Sequence, residues 1–239
     1  MQAHRQPDYR LLMLGLLGAI VLVTAAAPLD WLAIAGGFLA VVSLLATACC
    51  LIERRRQLLL AIVLGIVTFL PLTWLSFYPD TLGSPAATAL YVVNIVLWVI
   101  FSFHLTLLVF RGIIRARRIG SNEIYGAIDV YILIGVIFAA VYQLLLAWQP
   151  DALYFDPSRF PEPQRMVGDF STRGAGAVLY YSFVTLGSVG YGDVTPASPL
   201  ARSLSLIEAV AGIMYVATMI ARFVSIQITS ERRDEAEKS

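Results

Sequence analysis

Charge is scarce in this chain. Only 14% of its 239 residues are Asp, Glu, Lys or Arg, against 59% hydrophobic, where soluble domains carry about 25% charged residues. A water-facing surface cannot be built from so little charge, which excludes a soluble fold and points to a membrane protein. Histidine and cysteine are nearly missing as well. The only histidines are His4 and His104, and no HExxH or nucleophile-elbow pattern occurs, so an intramembrane enzyme has little to work with. Cys49 and Cys50 are adjacent within an apolar run. That spacing suits neither a disulfide framework nor a metal site, and both read as small apolar fillers. A net charge of +1, without a basic patch interleaved with aromatics, argues against a nucleic-acid partner. No cofactor is expected.

What the chain has instead is long apolar runs, at about 11–27, 29–52, 58–78, 89–110, 124–148 and 200–228. A hydrocarbon core of roughly 30 Å takes about 20 helical residues, so six spans fit. Residues 1–27 also resemble a signal peptide, with Arg5 and Arg10, an apolar stretch and then Ala25, Ala26 and Ala27. Pro28, directly after those small residues, disfavours a cut, so 11–27 is read as a first span. The short link Pro28, Leu29, Asp30 makes the first two spans a tight hairpin.

Basic residues set the orientation. Alternate segments carry Arg5 and Arg10, then Arg54, Arg55 and Arg56, then Arg111, Arg115, Arg117 and Arg118, then Arg232, Arg233 and Lys238, while the links around 28–30 and 79–88 carry none. This is a positive-inside pattern with both termini cytoplasmic, and Trp31, Trp74, Tyr78, Tyr91 and Trp148 fall where an outer aromatic belt belongs. The arginines after the fourth span invite comparison with a voltage sensor. They begin only beyond Phe110, and the first three spans bury no acidic partner, with Asp30 and Asp80 at outer edges. The cluster reads as a topology anchor. Asn94 and His104 are the polar residues of the fourth span and read as helix–helix hydrogen-bonding groups.

The chemistry is concentrated in Ser188-Val189-Gly190-Tyr191-Gly192-Asp193. Glycines at 190 and 192 permit backbone angles that let successive carbonyls point one way. The segment resembles the filter loop of potassium channels, in which four such strands around an axis replace the hydration shell of the ion with rings of carbonyl oxygen. The stretch from Tyr180 to Pro196 resembles the pore helix and filter of potassium channels, and the resemblance extends over about 174–228. It implies ion sites for K⁺ at the carbonyls of Ser188, Val189, Gly190 and Tyr191, completed by Gly192, with the Ser188 hydroxyl as innermost ring. Most members have Thr at 188 and commonly at 187, where this chain has Ser188 and Gly187. Ser keeps the oxygen and loses the methyl that stiffens the side chain, so the innermost site is expected to be looser.

The same resemblance assigns supporting roles. Asp193 anchors the outer end of the filter. The Glu that some members place on the pore helix for this purpose is replaced by Val184, so the hydroxyls of Tyr180 and Tyr181 are candidates for the bond, with Thr185 beside them. Gly174 to Leu186 reads as a re-entrant pore helix whose C-terminal end favours a cation, reached from an outer loop with prolines at 150, 157, 161 and 163 that is expected to be irregular. That loop holds Asp151, Asp156, Glu162 and Asp169 against Arg159 and Arg165, either an acidic mouth that concentrates cations or a merely solvated face.

On the last span Gly212 is similar to the family's hinge glycine, or else lets that helix pack closely. Ile220 and Val224 are candidates for an apolar constriction. Three charges lie within the spans of this module: Asp129, Glu208 and Arg222. Each is costly there and calls for a partner. Asp129 and Arg222 sit at similar depth and are expected to pair, for assembly or for holding the gate. Glu208 is expected behind the pore helix, hydrogen-bonded to it.

The fold class implied is an all-α membrane protein of six transmembrane helices plus a re-entrant pore helix and selectivity-filter loop. One filter per chain makes the pore a homotetramer in membrane lipid. The domains are 1–118, four helices; 119–230, the pore; and 231–239, a short cytoplasmic tail. The ten residues after Thr229 are too few for a ligand-binding domain, so no gating stimulus is written there. The expected function is passive, potassium-selective conduction, in a bacterial-type plasma membrane. The alternatives are a weakly selective cation channel and a non-conducting scaffold or regulatory subunit.

Overall fold

The structure is a computed structural model; it describes residues 9–25, 63, 85–116, 120–160 and 172–236. Apart from Val63, the expected second and third spans lie outside the described residues. So do the Pro28 hairpin, Cys49, Cys50, the arginines at 54–56, 117 and 118, and Glu162, Arg165 and Asp169.

Five helices carry the described chain: α1 (Tyr9–Ala25), α2 (Pro85–Arg115), α3 (Ser121–Trp148), α4 (Thr172–Leu186) and α5 (Pro199–Ala236). Two short strands, β1 (Leu153–Phe155) and β2 (Val194–Pro196), complete it. Three helices are long and apolar enough to cross a membrane, over Thr88–Arg115, Ser121–Trp148 and Pro199–Thr229, with 28, 28 and 31 residues. Of the six expected spans, the fourth, fifth and sixth are thus present at membrane-crossing length. The first corresponds to α1, whose 17 residues reach about 26 Å, short of a hydrocarbon core of roughly 30 Å.

Local chemistry sets the ends of these helices. The Gly120 amide donates to the Glu123 carboxylate at 2.8 Å, which satisfies an orphan donor and places negative charge at the positive end of α3. Pro150 follows two residues after Trp148 and cannot continue the helix. Ser198 caps α5 through its hydroxyl, which accepts the Ala201 amide at 3.1 Å, and Pro199 fills the first helical position, where its missing donor costs nothing.

Packing divides into two layers. At one end Tyr9, Leu12 and Leu16 of α1 meet Phe101, Leu105, Val109 and Ile113 of α2, Val130 and Leu133 of α3, and Met219 of α5. At the other, Tyr142, Leu145 and Leu146 of α3 enclose Leu153, Phe155 and Val194 together with Val178, Leu179 and Tyr181 of α4. The direction of α1 follows from its two ends. The Tyr9 amide donates to Asn122 at the start of α3, while the Val23 carbonyl lies against Gly176 near the start of α4. The start of α1, the end of α2, the start of α3 and the Arg222 region of α5 therefore share one end of the bundle.

The described part of the loop after α3, residues 149–160, is more regular than its prolines suggest. Pro150–Ala152 forms a 3₁₀ turn, and β1 then pairs antiparallel with β2, Tyr154 opposite Thr195. Beyond the ladder, the Asp156 amide donates to the Asp193 carbonyl at 2.9 Å, and the Ala197 and Ser198 amides both donate to the Ala152 carbonyl. This stitching ties the chain leaving residue 192 to the C-terminal end of α3.

Candidate ion-conducting site

Residues 187–193 leave the C-terminal end of α4 in a conformation that few residue types accept. Positive φ angles occur at Ser188 (54°), Gly190 (59°) and Gly192 (81°) and at no other described residue, so left-handed backbone alternates with ordinary backbone through Val189 and Tyr191. In an extended strand successive carbonyls point to opposite sides; alternating the hand of the backbone brings them toward one side. Glycine adopts positive φ without penalty. The hydrogen bonds agree with this picture. The Ser188 amide donates to Thr185, and those of Val189 and Gly190 to Val184, at 2.9, 2.9 and 3.4 Å. The amides of 188–190 thus turn back to α4, and among the described residues no hydrogen bond reaches the carbonyls of 188–192.

Ser188 acquires a second explanation here. At φ 54° a β-branched residue is a genuine outlier, whereas a serine pays less to sit there. The missing methyl is therefore matched to the backbone angle, in addition to any loosening of a site.

The C-terminal end of this segment is held by Tyr180. Tyr180 donates from its hydroxyl to Asp193 Oδ2 at 2.8 Å, its ring lies parallel to that of Tyr191, and Asp193 Oδ1 accepts the Val194 amide at 3.0 Å. Tyr181 turns elsewhere, to the Ser205 hydroxyl at 2.6 Å, and also bonds Thr185. Of the two candidates, Tyr180 meets the acid and Tyr181 ties α4 to α5. In the loop after β1, the Ser158 amide donates to Asp156 Oδ1 at 2.9 Å and holds that carboxyl below the usual carboxylate range.

The three charges within the spans are distributed differently from expectation. Glu208 does lie behind α4, with Ser182 at 2.5 Å from Oε1 and the Tyr142 hydroxyl donating to Oε2 at 2.7 Å. Asp129 and Arg222 do not pair. Both carboxylate oxygens of Asp129 are buried with no hydrogen-bond partner among the described residues. The Arg222 guanidinium instead donates to the carbonyls of Ile113 and Ile114. These belong to the last turn of α2, where the helix end carries partial negative charge; the Ile113 carbonyl also accepts the Ala116 amide. Equal depth in a bilayer gives a residue's height but not the side of the helix it occupies, and that side decides the partner.

On α5, a side-chain carbon at Gly212 would overlap the Leu186 carbonyl oxygen. The helix runs unbroken through this position, so Gly212 acts here as the point of close contact with Leu186 at the C-terminal end of α4. Ile220 and Val224, one turn apart, are exposed together with Ile213 and Met214. Val189 and Tyr191 are 53% and 71% exposed. Sequence reasoning missed Tyr142, Ser182 and Ser205, the partners of Glu208 and Tyr181. The signal available was their polarity within apolar runs.

Residues 129–228 match a protein-family model described as an ion channel. The matched segment of 100 residues is less than half of the chain and contains residues 187–193 together with α4, both strands and most of α3. No curated protein and no solved structure matches the chain. The segment is thus similar to an ion channel domain, and with three long apolar helices it supports an integral membrane protein with ion-channel activity.

Proposed function

We propose that this chain is one subunit of a potassium-selective channel. Four copies surround a common axis, each contributing the carbonyls of Ser188, Val189, Gly190 and Tyr191 to rings that receive a dehydrated K⁺. The observation that carries this reading is the alternation of left-handed backbone at 188, 190 and 192, with the amides of Ser188, Val189 and Gly190 bonded back to α4 and the carbonyls of 188–192 without a hydrogen bond among the described residues. The exposure of Val189 and Tyr191 in the single chain fits a surface that neighbouring subunits cover. Transport is passive and involves no covalent chemistry or cofactor. The pore domain spans 119–230, behind a four-helix domain at 1–118, with both termini cytoplasmic in a bacterial-type inner membrane. The shared end of the bundle at Tyr9 and Arg222 fits that orientation, and Arg111 and Arg115 lie near it.

Flux from liposomes containing the purified chain, under opposed K⁺ and Na⁺ gradients, tests this. Potassium efflux is expected to exceed sodium influx by well over tenfold and to be lost in Tyr191→Ala. A second reading, a weakly selective cation channel, rests on Gly187 and Ser188, and equal flux of the two ions would favour it. A protein that assembles yet carries neither ion over a wide range of voltage and pH would favour a scaffold.

A further inference from the structure

The hydroxyls around Glu208 do not carry enough hydrogens for a carboxylate. Ser182 has one hydroxyl hydrogen and two neighbours, the Gly135 carbonyl at 2.7 Å and Glu208 Oε1 at 2.5 Å. A carbonyl can only accept. Once Ser182 donates to Gly135, the contact with Oε1 has a hydrogen only if Glu208 supplies it. The other oxygen is already served, since Tyr142 donates to Oε2 at 2.7 Å. Ser205 adds nothing, because its hydroxyl bonds the Ala201 carbonyl at 2.7 Å and otherwise meets Tyr142 and Tyr181. If Glu208 were ionised, one of the two Ser182 contacts would set oxygen lone pairs against each other well inside a non-bonded distance.

Burial gives the same answer. Glu208 is 0% exposed, and a buried carboxylate without a cation is strongly disfavoured. The titratable groups facing it are Tyr131 and Tyr142 from α3 and Tyr181 from α4, all of which are neutral phenols. No described Lys or Arg is hydrogen-bonded to it.

We infer that Glu208 is a neutral carboxylic acid that donates its proton to Ser182 and thereby fixes the pore helix between the outer and inner helices. The chain of contacts runs from Gly135 of α3 through Ser182 of α4 to Glu208 of α5 and back to Tyr142 of α3. Ser182 lies one turn before Leu186, where the filter segment begins. Glu208 is a positioning residue, acting on the filter through α4. Ionisation at high pH removes the hydrogen from the Ser182 contact and turns an attraction into a repulsion, so the filter loosens as pH rises. The proton assignment is independent of the channel reading; its effect on conduction rests on that reading.

The test uses the purified full chain in liposomes and two readouts. Infrared spectra of wild type minus Glu208→Gln are expected to contain the C=O stretch of a protonated carboxyl at neutral pH, lost as pH rises. Asp129→Asn, measured in parallel, keeps any Asp129 band from being credited to Glu208. Gln reproduces the neutral acid, its amide donating to Ser182 and its carbonyl accepting from Tyr142. Glu208→Gln should therefore conduct at the wild-type rate at neutral pH, while the alkaline fall in flux, at least severalfold in wild type, disappears. Absence of the protonated band at every pH overturns the assignment whether or not the protein conducts. A band that is present, with identical pH profiles of flux in wild type and Glu208→Gln, overturns the positioning role. A protein with the band and no flux in either form contradicts the channel reading and leaves the proton in place.

Discussion

Replacing Gly212 by Ala is expected to abolish ion flux and to lower the melting temperature of the protein. Helix propensity alone predicts the opposite sign, because alanine in a helix interior is better than glycine by about 1 kcal/mol. Packing overrides it. The added carbon would overlap the Leu186 carbonyl oxygen and would lie 3.0 Å from Leu186 Cδ1 and 3.1 Å from the carbonyl carbon. Two of these neighbours are backbone and cannot swing aside as a side chain would. Overpacking of this kind costs about 1–3 kcal/mol where the surroundings can relax, and here relaxation means displacing the end of α4 on which Gly187 and Ser188 are hung. The displacement passes directly into the filter. Thermal unfolding in detergent together with liposome flux decides the matter. A rise in melting temperature with preserved flux would mean that α5 does not lie against α4 at this point. Retained stability with altered opening would favour the hinge role.

The second large effect is expected from Tyr180→Phe. Phenylalanine keeps the ring that stacks on Tyr191 and removes only the hydroxyl that donates to Asp193. A hydrogen bond to a charged group contributes about 1.5–3 kcal/mol, and the lower figure applies because Asp193 is half-exposed. That corresponds to about tenfold per chain in the balance between an ordered and a collapsed filter. The variant should fold and assemble, since the β1–β2 ladder and the Asp156–Asp193 backbone bond remain. Its potassium flux should decay during the assay or lose selectivity. Tyr181→Phe, which cuts a bond to Ser205 instead, should leave selectivity intact and act on stability. Equal flux and selectivity in Tyr180→Phe and wild type would show that the strand ladder alone secures the filter exit.

How much of this was legible before folding follows from which interactions are local. A helix expected at 174–186 forms at Thr172–Leu186, and the last span, expected at 200–228, forms within Pro199–Ala236, because apolar runs bounded by Ser-Pro or Gly carry their own start and stop signals. Positive φ at Gly190 and Gly192 was readable from glycine alone. The same angle at Ser188 was not, because nothing in its side chain requires it. The placement of Glu208 behind the pore helix was inferable from its depth, but its partner Tyr142 lies 66 residues earlier and is one tyrosine among several on that helix. Depth misled at Asp129 and Arg222, where the carbonyls closing α2 captured the arginine. The three-residue strands escaped notice because Leu-Tyr-Phe among prolines has too short an alternation to distinguish a strand from an irregular loop.

The most direct test of the central claim is the reversal potential across a planar bilayer, with K⁺ on one side, Na⁺ on the other, and the purified chain incorporated. Carbonyl rings formed by 188–191 predict a large potential of the sign set by K⁺ diffusion, lost together with the current in Gly190→Ala, where an L side chain is forced to φ 59°. A reversal near zero, or a potassium-selective current that Gly190→Ala leaves unchanged, would contradict the account.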